Sequence, residues 1–144
     1  MIEGVHLTPL RVIADERGSV MHMLKAGDPK FAGFGEVYFS TINAGKRKEW
    51  RLHRRHTSHM AVVVGTVRFV LAHSSTTPDG PTMEVEIGAS NYQLLTVAPN
   101  VWYAFENRGT DTAVIANCSS GQHDPDEVER RGFENPPKTY VWRD

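Results

Sequence analysis

The chain is a succession of short segments in which apolar and polar positions alternate or apolar residues run together. The segments are VHLTPLRVI, SVMHML, EVYFSTI, EWRLH, MAVVVGTVRFVLAH, MEVEIG, YQLLTVA, VWYAF and TAVIANC. They are rich in Val, Ile, Thr, Tyr and Trp, which is typical of β-strands. Turn-forming stretches such as DERG, NAGK, TTPDG, APN and NRGTD separate them. A strand roughly every ten residues predicts an all-β antiparallel sandwich or barrel.

One short helix is predicted near the C-terminus, in the stretch HDPDEVERR. Asp124 suits the N-cap, Pro125 the first helical position and Glu127 the third position of a capping box. Arg130 and Arg131 favour the C-terminal end of a helix because they complement its dipole. The tail NPPKTYVW is predicted to be extended, since each proline restricts the residue before it.

Length, charge and cysteine content narrow the class of protein. The 144 residues fit one domain, 1–144, and the net charge of −1 gives no reason to expect a nucleic-acid binder. Cys118 is the single cysteine, which suits a reducing compartment and excludes an internal disulfide. The start MIEGVHLTPL lacks signal-peptide features, and no apolar run has membrane-spanning length. These features predict a cytoplasmic protein without a membrane partner.

Polar residues recur on one side of two predicted strands. Alternation places Arg51 and His53 on the same side of one strand, and it groups Glu36, Tyr38 and Ser40 on another. If these side chains point inward, the barrel holds a polar cavity. If they point outward, they form ordinary surface, and the alternation alone leaves both possibilities open.

A spaced motif and an ordered set of segments carry a family resemblance. The pattern Gly45-x5-Arg51-x-His53-x4-Ser58-x6-Gly65 resembles the first cupin motif, with a histidine and a glutamate replaced by Arg51 and Ser58. The segments PLRVIADERG, FGEVYFSTINAGK, KEWRLH, NCSSGQHDPDEVERR and PPKTYVW resemble dTDP-4-dehydrorhamnose 3,5-epimerases, especially a short variety of these enzymes. The resemblance covers most of the chain.

The resemblance implies both a fold and an activity. It implies a single RmlC-like cupin domain, a jelly-roll β-barrel, in a protein that forms a homodimer. Its members act on a 4-keto-6-deoxy sugar linked to a nucleoside diphosphate, and they use no cofactor. A histidine removes the proton next to the ketone, and a tyrosine returns one to the other face. The expected activity is therefore that of a sugar-nucleotide epimerase or isomerase.

The family's usual catalytic residues are replaced in this chain. The base histidine aligns with Arg51, and the histidine that assists it aligns with Tyr103. The lysine that stabilises the enolate aligns with Ser58, and the acid tyrosine aligns with Ala116. Arginine does not deprotonate in proteins, so Arg51 is not a base.

A rearranged site is one hypothesis for this altered set. His53 would be the base, Tyr38 or Tyr103 the proton partner, and Arg51 the group that stabilises an oxyanion or a phosphate. The alternative is a noncatalytic cupin that binds a nucleotide sugar, or an enzyme relic that has lost the epimerase dyad.

The resemblance also implies substrate-binding residues. Lys48 stands where the family has an arginine that contacts the diphosphate, and Arg17 matches an arginine near the nucleotide. The other residues predicted to bind substrate are Glu36, Ser40 and Ser58.

A cupin metal site is not predicted. Such a site needs about three imidazoles and a carboxylate around one ion. Three of the four positions are Arg51, Ser58 and Tyr103. A permanently charged arginine repels a cation, so we expect neither a metal nor another cofactor.

Overall fold

The computed structural model describes residues 1–143, which form twelve β-strands and no helix. The strands are β1 (Val5–Pro9), β2 (Val12–Asp15), β3 (Gly18–Met21), β4 (Glu36–Ile42), β5 (Arg47–His53), β6 (Ser58–Val64), β7 (Thr66–His73), β8 (Met83–Gly88), β9 (Gln93–Val97), β10 (Val101–Glu106), β11 (Ala113–Ser119) and β12 (Val128–Arg131). Within these residues no helix is long and apolar enough to cross a membrane. The predicted all-β class is confirmed.

The strands form two five-stranded antiparallel sheets and a separate hairpin. Sheet one has the order β1-β9-β6-β11-β4, and sheet two has the order β12-β5-β10-β7-β8. Consecutive strands β6 and β7 lie in different sheets, and the chain changes sheet at Gly65, whose φ is +79°. A Cβ there would lie 3.0 Å from the Cβ of Ala113, so glycine suits this turn in both conformation and space.

The core lies between the two sheets. It consists of inward-facing apolar residues from both of them, among them Val62, Phe69, Leu71, Leu95 and Ile115, all essentially inaccessible to solvent. Burial of these side chains is the main force that closes the sheets on one another, at about 25 cal/mol for each Å² of apolar surface. The continuous apolar runs of β6 and β7 supply much of this core.

A second apolar cluster lies on the outer face of sheet two. Trp50, Leu52 and Trp102 are buried there, and Tyr140 and Trp142 of the C-terminal tail pack against them. The tail was predicted to be extended; it forms no strand and bends at Pro137 and Lys138, and its last residues cover this face. Trp50 and Leu52 point outward because a strand alternates its faces, which turns Arg51 and His53 to the other side.

The predicted C-terminal helix is wrong. The backbone N–H of Glu127 donates to the carbonyl of Asp124, so residues 124–127 form a single turn. The next residues, Val128–Arg131, pair with β5 as strand β12. The edge of β5 offers backbone hydrogen-bond partners for the whole segment. Sheet pairing therefore overrides the local capping signal.

The hairpin of β2 and β3 stands apart from both sheets. It pairs from Val12 with Met21 to Asp15 with Gly18, and all four residues of β2 are exposed. Arg17 lies at its turn and bonds to Asp15.

Candidate functional site

A cavity of ≈ 380 Å³ lies beside the exposed ends of β4, β5 and β12. Side chains from these strands and from the segment between β11 and β12 line it. Six of the lining residues are Glu36, Tyr38, Arg51, His53, Glu127 and Arg130. The structure thus brings together four residues predicted from the sequence and adds Glu127 and Arg130.

The local structure of β5 turns its polar residues toward this cavity. The register of β5 against β10 shifts between the pairs Tyr103–Arg51 and Phe105–Lys48. This irregularity inserts an extra residue in β5, so Lys48 lies on the same side as Arg51 and reaches over the Phe105 ring. A strictly regular strand would place positions 48 and 51 on opposite faces.

His53 is held in one orientation by a buried carboxylate. Its Nδ1 lies 2.7 Å from Oε1 of Glu127, whose side chain is 2% exposed. Oε2 of Glu127 accepts the backbone N–H groups of Arg55 and His56 at 3.0 and 2.9 Å. An ionised carboxylate only accepts hydrogen bonds, so Nδ1 carries the proton of His53. Nε2 is then left with a lone pair, and this buried atom has no hydrogen-bond partner among the described residues.

The environment keeps the imidazole of His53 neutral. Burial lowers the pKa of His53 below its ordinary value of 6.5, the contacts with Glu127 raise it in part, and the charge of Arg51 lowers it further. The pKa of Glu127 is lowered as well. Burial opposes this change, but the hydrogen bonds from His53 and from two backbone N–H groups outweigh it. The pair is therefore a neutral base held by an anion near neutral pH.

Sequence reasoning missed Glu127 because the capping-box pattern suggested another use for it. The carboxylate does not cap a helix; it binds an imidazole and two backbone N–H groups across the cavity. His53 and Glu127 are 74 residues apart in the chain, so no local sequence pattern predicts their contact.

Arg51 presents a cation that has no carboxylate partner among the described residues. Its guanidinium carbon lies 6.0 Å from the ring centre of Tyr103 and 5.8 Å from that of Phe105. Its Nε is buried without a hydrogen-bond partner. The aromatic faces hold the guanidinium in place and leave its donors for a ligand in the cavity.

The two candidate tyrosines differ in accessibility. Tyr38 lines the cavity, and its hydroxyl accepts a hydrogen bond from Nδ2 of Asn117 at 2.8 Å. Tyr103 is 2% exposed, and burial raises its pKa to about 12, although Arg51 and a hydrogen bond with Ser58 act in the other direction. Proton exchange with a substrate is therefore easier for Tyr38.

The remaining predicted residues are dispersed. Ser40 accepts a hydrogen bond from Nζ of Lys48 at 2.9 Å, and burial together with Arg51 lowers the pKa of Lys48. Ser58 is buried behind Tyr103. Arg17 is not among the residues that line this cavity, and its side chain is 82% exposed on the hairpin.

The cluster of His53, His56 and Glu127 has the composition of a metal site. Its ligand atoms lie within 4.8 Å of one another. In the arrangement seen, however, Oε1 of Glu127 faces Nδ1 of both imidazoles and Oε2 accepts two backbone N–H groups. Both oxygens of the carboxylate are thus engaged in hydrogen bonds. This geometry fits an acid–base pair better than a set of free metal ligands.

A larger cavity of ≈ 520 Å³ shares no lining residue with the first, and Leu10, Leu94 and Phe31 contribute to its lining. Of the described residues that line it, Asp28 is the one carboxylate, and it accepts the backbone N–H of Lys25. No imidazole–carboxylate pair is present among these lining residues, so the cavity around His53 is the better candidate.

Comparison with known proteins identifies similar structures. No protein-family model matches the chain, and no curated protein matches it. A solved structure of a dTDP sugar isomerase from Desulfovibrio desulfuricans G20 is 37% identical, covers 98% of this chain and 92% of its own, and superposes with a TM-score of 0.91.

Two more distant structures have the same fold. The sugar 3,4-ketoisomerase QdtA from Thermoanaerobacterium thermosaccharolyticum, solved with TDP, is 18% identical over 93% of this chain and 92% of its own, with a TM-score of 0.75. The 4-keto-6-deoxy sugar epimerase NovW from Streptomyces spheroides is 18% identical over 98% of this chain and 75% of its own, with a TM-score of 0.82.

Proposed function

The chain belongs to the dTDP-sugar isomerase family of cupins, and from this membership we propose that it isomerises or epimerises a nucleotide-linked 4-keto-6-deoxy sugar. The single observation that carries the proposal within this chain is the unpartnered, buried Nε2 of His53, held in place through Nδ1 by Glu127. Enolisation requires a general base and a group that stabilises the enolate oxygen, and a neutral imidazole and a fixed cation in one cavity supply both.

The reaction starts with proton abstraction from the carbon next to the ketone. Nε2 of His53 takes the proton, the C–H electron pair forms a carbon–carbon double bond, and the carbonyl electrons move to oxygen. Glu127 stabilises the imidazolium that forms, as a buried carboxylate does for a catalytic histidine. Arg51 stabilises the enolate oxygen, because it lines the cavity, its charge is fixed and no carboxylate among the described residues engages its guanidinium.

A second proton transfer completes the reaction. The phenol of Tyr38 is the accessible donor, and its bond to Asn117 fixes the hydroxyl. If the proton returns to the same carbon on the opposite face, the product is an epimer. For a shift of the ketone, the hydroxyl proton on the carbon that lost its C–H proton passes to the enolate oxygen, and the new proton adds to the former carbonyl carbon, so that the ketone moves by one position.

Solvent isotope exchange tests this proposal. The protein is incubated in heavy water with thymidine-diphosphate-linked 4-keto-6-deoxyglucose, and deuterium at the carbons next to the ketone is followed by mass spectrometry and NMR. We expect enzyme-dependent incorporation. Binding of the sugar nucleotide without any incorporation would contradict the proposal and favour the noncatalytic binding protein.

We also propose that the protein works as a homodimer. The hairpin of β2 and β3 exposes Val12, Ile13 and Val20, and an isolated two-stranded hairpin is only marginally stable in water. A second copy would cover this surface. Light scattering at micromolar concentration tests the proposal, and a monomeric mass would contradict it.

A further inference from the structure

Eight of the eleven arginines, all of which lie within the described residues, form ion pairs with carboxylates, even on the surface. Arg54 bonds to Glu129, Arg55 to Asp124 and Arg143 to Glu84, although each of these arginine side chains is about half exposed or more. Arg51 and Arg130 are exceptions within the described residues, for neither has a hydrogen-bonded or ion-paired carboxylate. A third, Arg11, lies away from them beside the ≈ 520 Å³ cavity.

The unmatched pair lies at one place on the sheet. Arg130 of β12 is the cross-strand partner of Arg51 of β5 in the antiparallel register. Like charges directly opposite each other on antiparallel strands are unfavourable. Lys48 adds a third cation on the same side of β5, and the proximity of Arg51 contributes to its lowered pKa. Such an arrangement is favourable when an anion lies between the cations.

The carboxylates around the cavity are otherwise engaged. Glu36 accepts the backbone N–H of His123, Asp124 bonds to Arg55, and Glu127 bonds to His53 and two backbone N–H groups. Glu49 of β5 lies beside the same cations, but it is exposed and forms no ion pair with Arg51, Arg130 or Lys48. No carboxylate among the described residues therefore neutralises the three cations. The missing counter-ion would have to come with a ligand.

Two cavities meet at this pair. Arg51 and Arg130 line the ≈ 380 Å³ cavity that contains His53, and they also line a second cavity of ≈ 220 Å³. Lys48 lines the second cavity, which opens where β12 has ended and the first residues of β5 have no partner on that edge. A ligand can therefore extend along β5 from His53 past Arg130 toward Lys48.

We propose that Arg130 binds the diphosphate of the substrate together with Lys48, which fixes the direction in which the substrate lies. This inference rests on the proposed function. The sugar is beside His53 and Arg51, the diphosphate is at Arg130, and the nucleoside points toward the Lys48 end of β5. A guanidinium binds phosphate through two parallel hydrogen bonds, and Arg130 is free to do so. Arg51 remains with the enolate oxygen.

Titration calorimetry with thymidine diphosphate tests the assignment without any turnover. Loss of a charge-assisted hydrogen bond predicts that Arg130→Gln weakens binding about tenfold or more. Thymidine, which has no phosphate, should bind the variant as it binds the native protein. In turnover, KM should rise by a similar factor, and any loss in kcat should be the smaller effect.

Arg131→Gln is the matched control. Arg131 is the next residue on β12 and faces the other way, where it bonds to Glu129 and lies over the Trp102 ring. The Arg131→Gln substitution removes the same charge as Arg130→Gln, but it should change thymidine diphosphate binding by no more than about twofold. Equal weakening in both variants would overturn the proposal, as would an equal loss of thymidine binding or no binding of thymidine diphosphate to the native protein. Deuterium exchange by the native protein reports on the proposed function separately.

Discussion

Two clusters of arginines on sheet two differ in how their charge is balanced. On the outer face, the outer ion-pair cluster consists of Arg47, Arg68, Glu84, Glu106, Arg108 and Arg143. Glu106 is 2% exposed and bonds to both Arg47 and Arg68, at 2.8 and 2.5 Å. On the cavity side, Arg51 and Arg130 have no carboxylate partner within residues 1–143.

The difference distinguishes charged groups that stabilise the fold from charged groups that are available to bind a ligand. A buried charge is costly unless a partner offsets it, and the outer ion-pair cluster supplies that partner from within the chain. On the cavity side, Arg51 is half-buried without such a partner and Arg130 is exposed without one, which is typical of a site whose anion arrives with the substrate. Substitutions in the outer ion-pair cluster should therefore affect stability, and those in the cavity should affect activity.

The largest effect is expected for Glu106→Gln. The variant leaves Arg68, which is 5% exposed, without its buried anion, so the free energy of unfolding should fall by about 3 kcal/mol. Chemical denaturation measures this. The control is Glu129→Gln, whose half-buried carboxylate bonds to Arg54 and Arg131 and should cost less than about 1 kcal/mol. Similar losses in the free energy of unfolding for the two variants would contradict the stabilising role of the outer ion-pair cluster.

Arg51→Gln should show the opposite profile. Loss of an enolate-stabilising donor predicts a fall in kcat of about 10²-fold, with little change in the unfolding midpoint. Steady-state kinetics and thermal denaturation on the same preparation test both parts. Arg54→Gln, on the neighbouring surface, is the matched control and should retain native kcat. A destabilised Arg51→Gln protein with native kcat would assign Arg51 to the fold.

Glu127→Gln should lower kcat by about tenfold. A positioned base contributes roughly 10²–10⁴-fold to the rate, and the variant keeps the base but loses the carboxylate that supports it. The amide oxygen still accepts a backbone N–H, but it no longer stabilises the charged imidazole. Steady-state kinetics measures the loss. Native kcat in this variant would mean that Glu127 only braces the chain between β5 and β6.

The smallest effects are shifts in pH dependence. Burial lowers the pKa of His53, so kcat/KM of the native protein should rise with pH through a midpoint below 6.5. Arg51 lowers this pKa and Glu127 raises it. Arg51→Gln should therefore move the midpoint to higher pH, and Glu127→Gln should move it to lower pH. Shifts in the same direction would contradict the assignment of His53 as the titrating base.

The fold was largely predictable from the chain, because the strand pattern is local. Glu36, Tyr38, Arg51 and His53 were grouped by alternation and resemblance, and the structure brings them to one cavity. Glu127 and Arg130 were not found, since their capping and charge pattern predicted a helix, whereas the edge of β5 captures the segment as β12. Long-range sheet pairing is invisible to local rules. That residues 1–144 form a single domain stays a prediction.

The most direct test of the account is deuterium exchange into the sugar nucleotide by His53→Gln at saturating substrate. Glutamine keeps a polar side chain near Glu127 but has no basic nitrogen. We predict that exchange falls by about 10²-fold or more, while thymidine diphosphate binds with native affinity. Exchange at the native rate would contradict the central claim that His53 is the base of this enzyme.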